Sequence, residues 1–550
     1  MARYEESVPN TLTVVLFLAA LFLLVFQPWQ IGMKELYWQE GLNAAEALEL
    51  NLPSLAIRAH GELLGSGYPL YPAAVRLLYW LGVPMEFALR LLSVLPCFGV
   101  ALWVFLLGRS AAGLGCGAVA AAAWITGNIV MEKTLDGYPE MAMIFFVTGG
   151  QFIWFTLWQH YNRPNLAWMA AAAFAVLAFL TAGFPALLYF AFPFIFMRRP
   201  LSVPQKLRKP GAAAGAVLIV LAVTAYLAPY FAETSIRGRL AFIDTDFGGY
   251  HSHLWTFPFD AVWRLLPWSL AAWPVFCASY RPLDPAPVFS RFLRTLVIST
   301  FFLLWFSPFT DVRDIALLMP ALSILIGINY NLLMRRHGKF YRRLLQGLPY
   351  VAVVLGVGTA AFFLTGNEVI EPVFNYFGVG REMLVFRNSP MCMTVGVVYG
   401  GLIAGIGVFL LWRGARTPLW IEVSLVMLAA MLFFWAVSRP YSAQKQPKRR
   451  LAEALHTALK DRDVERLYKL NIAGLYGECF YLGLPVTSIT DLSAISPTEP
   501  EVYLLSTGFP QLPERAWVKL ADTKLVDASA DEKSLQIYCG TLIPEPEAAP

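Results

Sequence analysis

The chain has 550 residues, of which 57% are hydrophobic and 14% charged, and its mean hydropathy is +0.56. That balance excludes an ordinary soluble domain and predicts a polytopic α-helical membrane protein. The net charge of +5 follows from arginine-rich loops between apolar runs, so no nucleic-acid partner is called for.

In chain order, the first apolar run, Thr11 to Phe26, follows a mixed-charge head and leads into bulky WQIGMK. No small-residue cleavage site stands there, so it reads as a retained first helix. Orientation rests on two loops, MRRPLSVPQKLRKP (197–210) and MRRHGKFYRR (334–343), each with five Lys or Arg and no acid, which are predicted to be cytoplasmic. Counting from them places spans near 86–108, 111–131, 140–158, 166–182, 184–197, 211–231, 259–279, 292–308, 313–332, 347–365, 390–412 and 418–437. With the first helix the total is about thirteen. The segment Tyr71 to Gly82 is too short for a span and reads as a helix lying in the interface.

The expected organisation is a membrane domain over 1–438, with an outer first loop at about 28–85, and a small soluble α/β domain over 439–550. An odd count puts that tail on the side opposite the amino terminus, in the periplasm or outside. Arg439, Lys445, Lys448, Arg449 and Arg450 pull the other way, and one span fewer would place the tail inside. LAEALHTALKDRDVERLYKL has helical spacing, whereas ECFYLGLPVTSI and EVYLLST read as strands. Cys479 and Cys539 lie in this tail and could pair if it is exported; the other cysteines sit in spans as apolar filler.

Ionisable residues are nearly absent from the spans and gather in the outward loops, unlike the midplane acids of pumps and transporters. The first loop holds Glu35, Glu40, Glu46, Glu49 and Glu62, the second Glu132, Asp136 and Glu140, and a later one Asp244, Asp246, His251 and His253. Glu46 and Glu49 read as a solvated helix face. Glu40 and Glu140 each stand near a helix start, where the dipole favours a carboxylate, so capping and catalysis compete as explanations. Asp136 sits in a DGYP turn, which turn chemistry alone explains. His251 and His253 are candidate metal ligands, though an H-x-H pair without a third ligand is a weak signal.

Several stretches together resemble the GT-C superfamily of polyprenyl-phosphate-sugar-dependent membrane glycosyltransferases, in the branch of the lipid A aminoarabinose transferases and protein mannosyltransferase-like enzymes. QEGLNAAEALE (39–49) is similar to the acidic first-loop helix of that branch, and YPLYP (68–72), which contains Tyr71, to its "PPLY" segment. EFALR (86–90), Glu140 ahead of Phe145 and Phe146, LTAGFPAL (180–187), LLPWSL (265–270), SPFTDVRDIALLMP (307–320) with Arg313 at a basic position, and FYLGLPV (480–486) follow in the family's order. Two positions depart from the pattern. Gln39 stands where the family has its first acid, and Gly67 and Tyr68 stand where it has a basic residue.

The resemblance implies a GT-C-like fold and transfer of a sugar from a polyprenyl-phosphate donor in the membrane lipid to an exported lipid, glycan or protein. The reaction would be displacement at the anomeric carbon, at the outer face of a bacterial inner membrane. On this reading Glu40, Glu140 and Asp136 are the catalytic candidates, and Arg313, Tyr71, Glu62, Arg58 and Arg237 bind substrate, with Arg239 a lesser choice. No P-loop or Rossmann fingerprint is present and no cofactor is required; a divalent metal ion held by outer acids and histidines is an alternative. Competing classes are a transporter or flippase of lipid-linked sugar and a non-catalytic polyprenyl-phosphate-binding protein.

Overall fold

The computed structural model describes residues 10–542 except 51–56, 64–67, 199–202, 234–246, 309, 377–389, 414–415, 441–447, 461, 463, 471, 473, 496–498, 500, 507, 509, 511–514 and 525–533. The chain forms two compact units, one of residues 1–31 with 90–442 and one of residues 32–89 with 443–550.

The first unit is helical. Among the described residues eight stretches are long and apolar enough to cross a membrane, and shorter apolar helices, Thr11–Phe26, Leu114–Ile125 and Phe184–Phe196, accompany them. One of the eight, Val312–Leu364, contains two helices, Met319–Leu345 and Leu348–Leu364, which part at Gly347. The span expected at 259–279 is not one helix. It divides into Phe247–Arg264 and Trp268–Phe276, with Pro267 between them lacking the N–H that a continuous ladder needs. The span expected at 111–131 likewise breaks at Gly127, into Leu114–Ile125 and Asn128–Lys133.

Packing between spans relies on small residues, as it must where lipid is as apolar as the side chains. Helix Leu348–Leu364 lies against Pro390–Arg413 so closely that a Cβ on Gly356 would fall 2.3 Å from the Ala404 nitrogen. One on Gly400 would fall 2.6 Å from the Ala360 nitrogen.

The second unit combines the first loop with the tail. Strands β1 (Arg58–Ala59) and β2 (Glu62–Leu63) form a small antiparallel hairpin. A five-stranded sheet follows from β3 (Leu467–Leu470), β4 (Val486–Ile489), β5 (Glu501–Ser506), β6 (Arg515–Lys524) and β7 (Ser534–Leu542), in the order β4-β3-β5-β7-β6. β3 runs parallel to β4 and β5, and β7 antiparallel to β5 and β6. Alternation along the strands feeds two cores. Leu467, Tyr503, Leu505 and Ile537 face the helix Lys448–Leu459, while Tyr468, Val502, Leu504 and Tyr538 face the other way.

The strand expected over ECFYLGLPVTSI holds only for Val486–Ile489. Tyr476–Leu482 is helical and ends at Gly483, whose φ of +71° closes the turn. This helix crosses Trp38–Glu49 at two glycines: a Cβ on Gly41 would fall 2.4 Å from the Gly477 nitrogen. Cys479 and Cys539 are both free thiols in one apolar cluster, so the pairing considered for them is not formed, and burial pushes the Cys479 thiol up to about 12. The short helix expected from Tyr71 is Leu70–Trp80, with Trp80 and Leu77 exposed.

Candidate active site

In the first unit, Pro139 starts the helix Glu140–Gln159 and places Glu140 in its first turn. The segment before it is pinned by Ser93, whose hydroxyl donates to the Tyr138 carbonyl at 2.9 Å. Opposite stands a 3-10 helix, Val312–Leu318, started by a reciprocal cap: the Asp311 N–H donates to Asp314 Oδ2 at 3.0 Å. That geometry projects Arg313 towards Glu140. Its Nη1 lies 3.3 Å from Glu140 Oε1 and 3.6 Å from Asp311 Oδ2, and its guanidinium sits 3.8 Å from the Tyr138 ring centre.

Two sequence candidates 173 residues apart are therefore in contact. Behind them the Tyr189 hydroxyl donates to Asp314 Oδ2 at 2.9 Å, and Asp314 is buried. Glu140 Oε2 is buried and has no hydrogen-bond partner among the described residues. A carboxylate oxygen in that state is a vacant acceptor, suited to a substrate hydroxyl. Tyr138, Tyr189, Asp311 and Asp314 were not singled out from the sequence. The D-x-x-D spacing of a capping box was the one available signal, and it identifies a helix start rather than a site.

Asp136 stands in the turn before Glu140, with Oδ2 3.9 Å from Lys133 Nζ. Its place is that of a turn residue.

In the second unit the glutamates of the first loop have separate structural tasks. Glu40 is 3% exposed and its Oε2 accepts the Tyr37 N–H at 3.0 Å, a cap at the start of Trp38–Glu49. The Glu40 carboxylate is thus folded back on its own helix, with the Tyr37 N–H on Oε2. Glu46 is not on a solvated face either; it is buried, and burial pushes its pKa up to about 7. Glu49 holds the hairpin turn, accepting from the His60 and Gly61 N–H groups at 2.7 and 2.9 Å. Glu35 Oε2 accepts the Lys448 and Arg449 N–H groups, at 2.6 and 3.1 Å, and so caps Lys448–Leu459.

The other substrate candidates of this unit are likewise structural in placement. Tyr71 is buried and its hydroxyl donates to the Leu89 carbonyl at 2.8 Å. Arg58 reaches the Gly61 carbonyl at 3.4 Å across the hairpin turn, and Glu62 is exposed on β2. Arg237, Arg239, Asp244 and Asp246 lie outside the described residues.

Two motifs meet that the sequence holds far apart. Tyr481 of FYLGLPV donates to Glu86 of EFALR at 2.9 Å and accepts the Leu36 N–H at 2.9 Å, while Arg449 Nη2 lies 2.8 Å from Glu86. At the hairpin, Lys469 Nζ is 3.3 Å from His60 Nδ1 and donates to the Gly474 carbonyl. Burial, then the Lys469 charge, lowers the His60 pKa to about 4.

His251 and His253 are the candidate metal ligands. Both lie on the helix Phe247–Arg264, where residues two apart point about 200° from each other. His253 Nε2 is 3.2 Å from the Leu304 carbonyl. Among the described residues no three His, Cys, Asp or Glu side chains gather to hold an ion.

No family model and no curated protein matches the chain. Among solved structures, the chain is similar to ArnT from Cupriavidus metallidurans bound to undecaprenyl phosphate, at 15% identity over 96% of this chain and 98% of that one, with a TM-score of 0.68. The apo state of the same protein is similar at 16% identity over the same shares, with a TM-score of 0.63. At those identities the likeness is one of fold. This chain has the fold of that protein over nearly its whole length, with a helical unit of apolar spans and a unit that holds a small sheet.

Proposed function

We propose that this protein is a glycosyltransferase that moves a sugar from a polyprenyl-phosphate donor to an exported acceptor at the outer membrane–water interface. The observation that carries the reading is the pairing of Glu140 with Arg313, with the second oxygen of Glu140 unpartnered among the described residues. Support comes from the fold, shared with a protein whose structure holds undecaprenyl phosphate.

In this mechanism the acceptor hydroxyl donates to Glu140 Oε2 and its oxygen attacks the anomeric carbon. The bond from that carbon to the phosphate oxygen breaks, the electron pair leaves with the lipid phosphate, and Glu140 takes the proton. Arg313 matches the phosphate oxygens in a fork and stays charged next to lipid. Phosphate competes with Glu140 and Asp311 for the same guanidinium, so donor binding loosens the Glu140 contact and frees the carboxylate as a base. Asp314, fixed by Tyr189, holds the turn that aims Arg313. No step requires a metal.

The test is to incubate the purified protein with a labelled polyprenyl-phosphate sugar and an envelope extract and to follow the label by mass spectrometry. A new glycosidic product supports the proposal. Passage of the label across a liposome membrane without a new bond makes the protein a transporter; retained lipid with neither outcome makes it a binding protein.

A further inference from the structure

The far end of the membrane unit carries a second site. Helix Glu140–Gln159 starts at Glu140, and Trp154 lies fourteen residues on, roughly 21 Å along the axis. There, helices Pro164–Ala182, Phe184–Phe196 and Pro210–Glu233 enclose a cavity of about 360 Å³. That size is within the roughly 300–1,000 Å³ of small-molecule sites. Its wall includes Trp168, Phe190, Phe194 and Gly215, and the exposed side chains of Ile195 and Leu207 also line it.

Among the described residues Lys206 is the one charged member of that lining, and it is 1% exposed. Its backbone is held by the Trp168 indole, which donates to the Lys206 carbonyl at 3.2 Å. The ammonium donates to the Met197 carbonyl and lies 5.6 Å from the Trp154 ring centre. An ammonium has three donors, so this bond leaves capacity for an anion. Trp154 Nε1, fully buried behind Trp168 and Phe194, has no acceptor among the described residues. The polar side chains gathered here are donors, the walls are apolar, and no acid is among the described residues that line the cavity.

We propose that this cavity binds an anionic glycerophospholipid, one acyl chain between the helices and the phosphate at Lys206. The chemistry matches on both counts: apolar walls take the chain, and a cation at the helix ends takes the headgroup. In sequence, the stretch 197–210 that contains Lys206 is basic and holds no acid. The site is distinct from the Glu140–Arg313 pair by most of the length of a span, and it owes nothing to the transferase reading.

The test uses the purified full chain in detergent with equal amounts of phosphatidylglycerol and phosphatidylcholine of identical chains, read by native mass spectrometry. One phosphatidylglycerol per chain is retained over phosphatidylcholine by about fivefold, the worth of one basic residue near an anionic headgroup. Lys206→Met abolishes that preference, Lys206→Arg preserves it, and Arg343→Gln, in the other basic loop, leaves it unchanged. Equal retention of the two lipids overturns the proposal, as does a preference that survives in folded Lys206→Met. One-for-one displacement of phosphatidylglycerol by polyprenyl phosphate also overturns it and assigns the cavity to the donor's tail. Should Lys206→Met fail to fold, the lipid comparison on the natural chain and on Lys206→Arg decides.

Discussion

Arg313 Nη1 lies 3.3 Å from Glu140 Oε1, joining the first turn of one membrane helix to a 3-10 turn 173 residues later. Neither side chain is fully enclosed, at 18% and 21% exposed. Glu140→Gln keeps the shape and removes the base, so transfer is expected to fall about 10²- to 10⁴-fold with the protein still folded. Arg313→Ala is expected to fall as far, and Arg313→Lys to recover only part, because a lysine lacks the fork. Steady-state transfer of labelled sugar beside a thermal melt is the measurement; full activity in Glu140→Gln would remove this residue from the mechanism.

Glu40→Gln separates the two glutamates that the sequence holds equal. Its carboxylate is buried and caps a helix, so the variant is expected to lose up to about 1 kcal/mol of stability. Activity per folded molecule should change by less than a few-fold. A loss matching that of Glu140→Gln would return the catalytic role to Glu40.

The pH dependence of stability has two opposed contributors in the second unit. Glu46 has its pKa raised from 4.5 to about 7 by burial, so the folded state holds a proton that the unfolded chain releases. Stability from this group is complete below pH about 4.5 and is lost as pH rises through 7. Glu46→Gln should therefore stabilise at pH 8, by up to about 3 kcal/mol, and do nothing at pH 4. His60, lowered from 6.5 to about 4, runs the other way: its contribution is present above 6.5 and is lost as pH falls through 4. Thermal midpoints of the natural chain and of Glu46→Gln across pH 4 to 8 check the sign, and a Glu46→Gln gain that is flat with pH would contradict the burial of its charge.

Tyr481→Phe removes a hydroxyl that serves Leu36 and Glu86 together. Loss of about 1–3 kcal/mol is expected, because a buried N–H and a carboxylate are each left one partner short. Arg449, whose side chain is 56% exposed, contributes less to the same cluster, and Arg449→Ala should cost under about 1 kcal/mol. Chemical denaturation ranks the two; the reverse order would show that the ion pair, not the hydroxyl, holds Glu86.

Gly356→Leu and Gly400→Leu should each prevent close packing of their two helices, since a Cβ alone would already overlap backbone atoms of the partner. Gly358→Leu on the same helix meets nothing within 4 Å and is the control. The yield of monodisperse protein in detergent distinguishes them; equal yields would mean that the helices do not need this approach.

Much of the molecule was legible in its residues. Apolar runs announced a helical membrane body, LAEALHTAL a helix, and VTSI and EVYLLS strands, because periodicity of burial is a local property that a chain carries in its order. The interruptions were harder to read: Pro267 and Gly127 break runs that hydropathy alone treats as continuous. The helix Tyr476–Leu482 was read as a strand because aromatic residues favour strands, and its contact with Trp38–Glu49 at Gly41 and Gly477 is invisible along the sequence.

Composition and loop charge by themselves determined that this is a helical membrane protein with few acids along its apolar runs, and the order of short motifs pointed to the fold. What only the tertiary structure decided is which of its acids is spare. Glu35, Glu40 and Glu49 satisfy backbone N–H groups, Glu86 satisfies a tyrosine and an arginine, and Glu140 keeps one buried oxygen without a partner among the described residues. A glutamate is the same residue in a cap and in an active site; its role is set by the donors that folding brings within about 3 Å, and those come from segments the sequence does not place beside it.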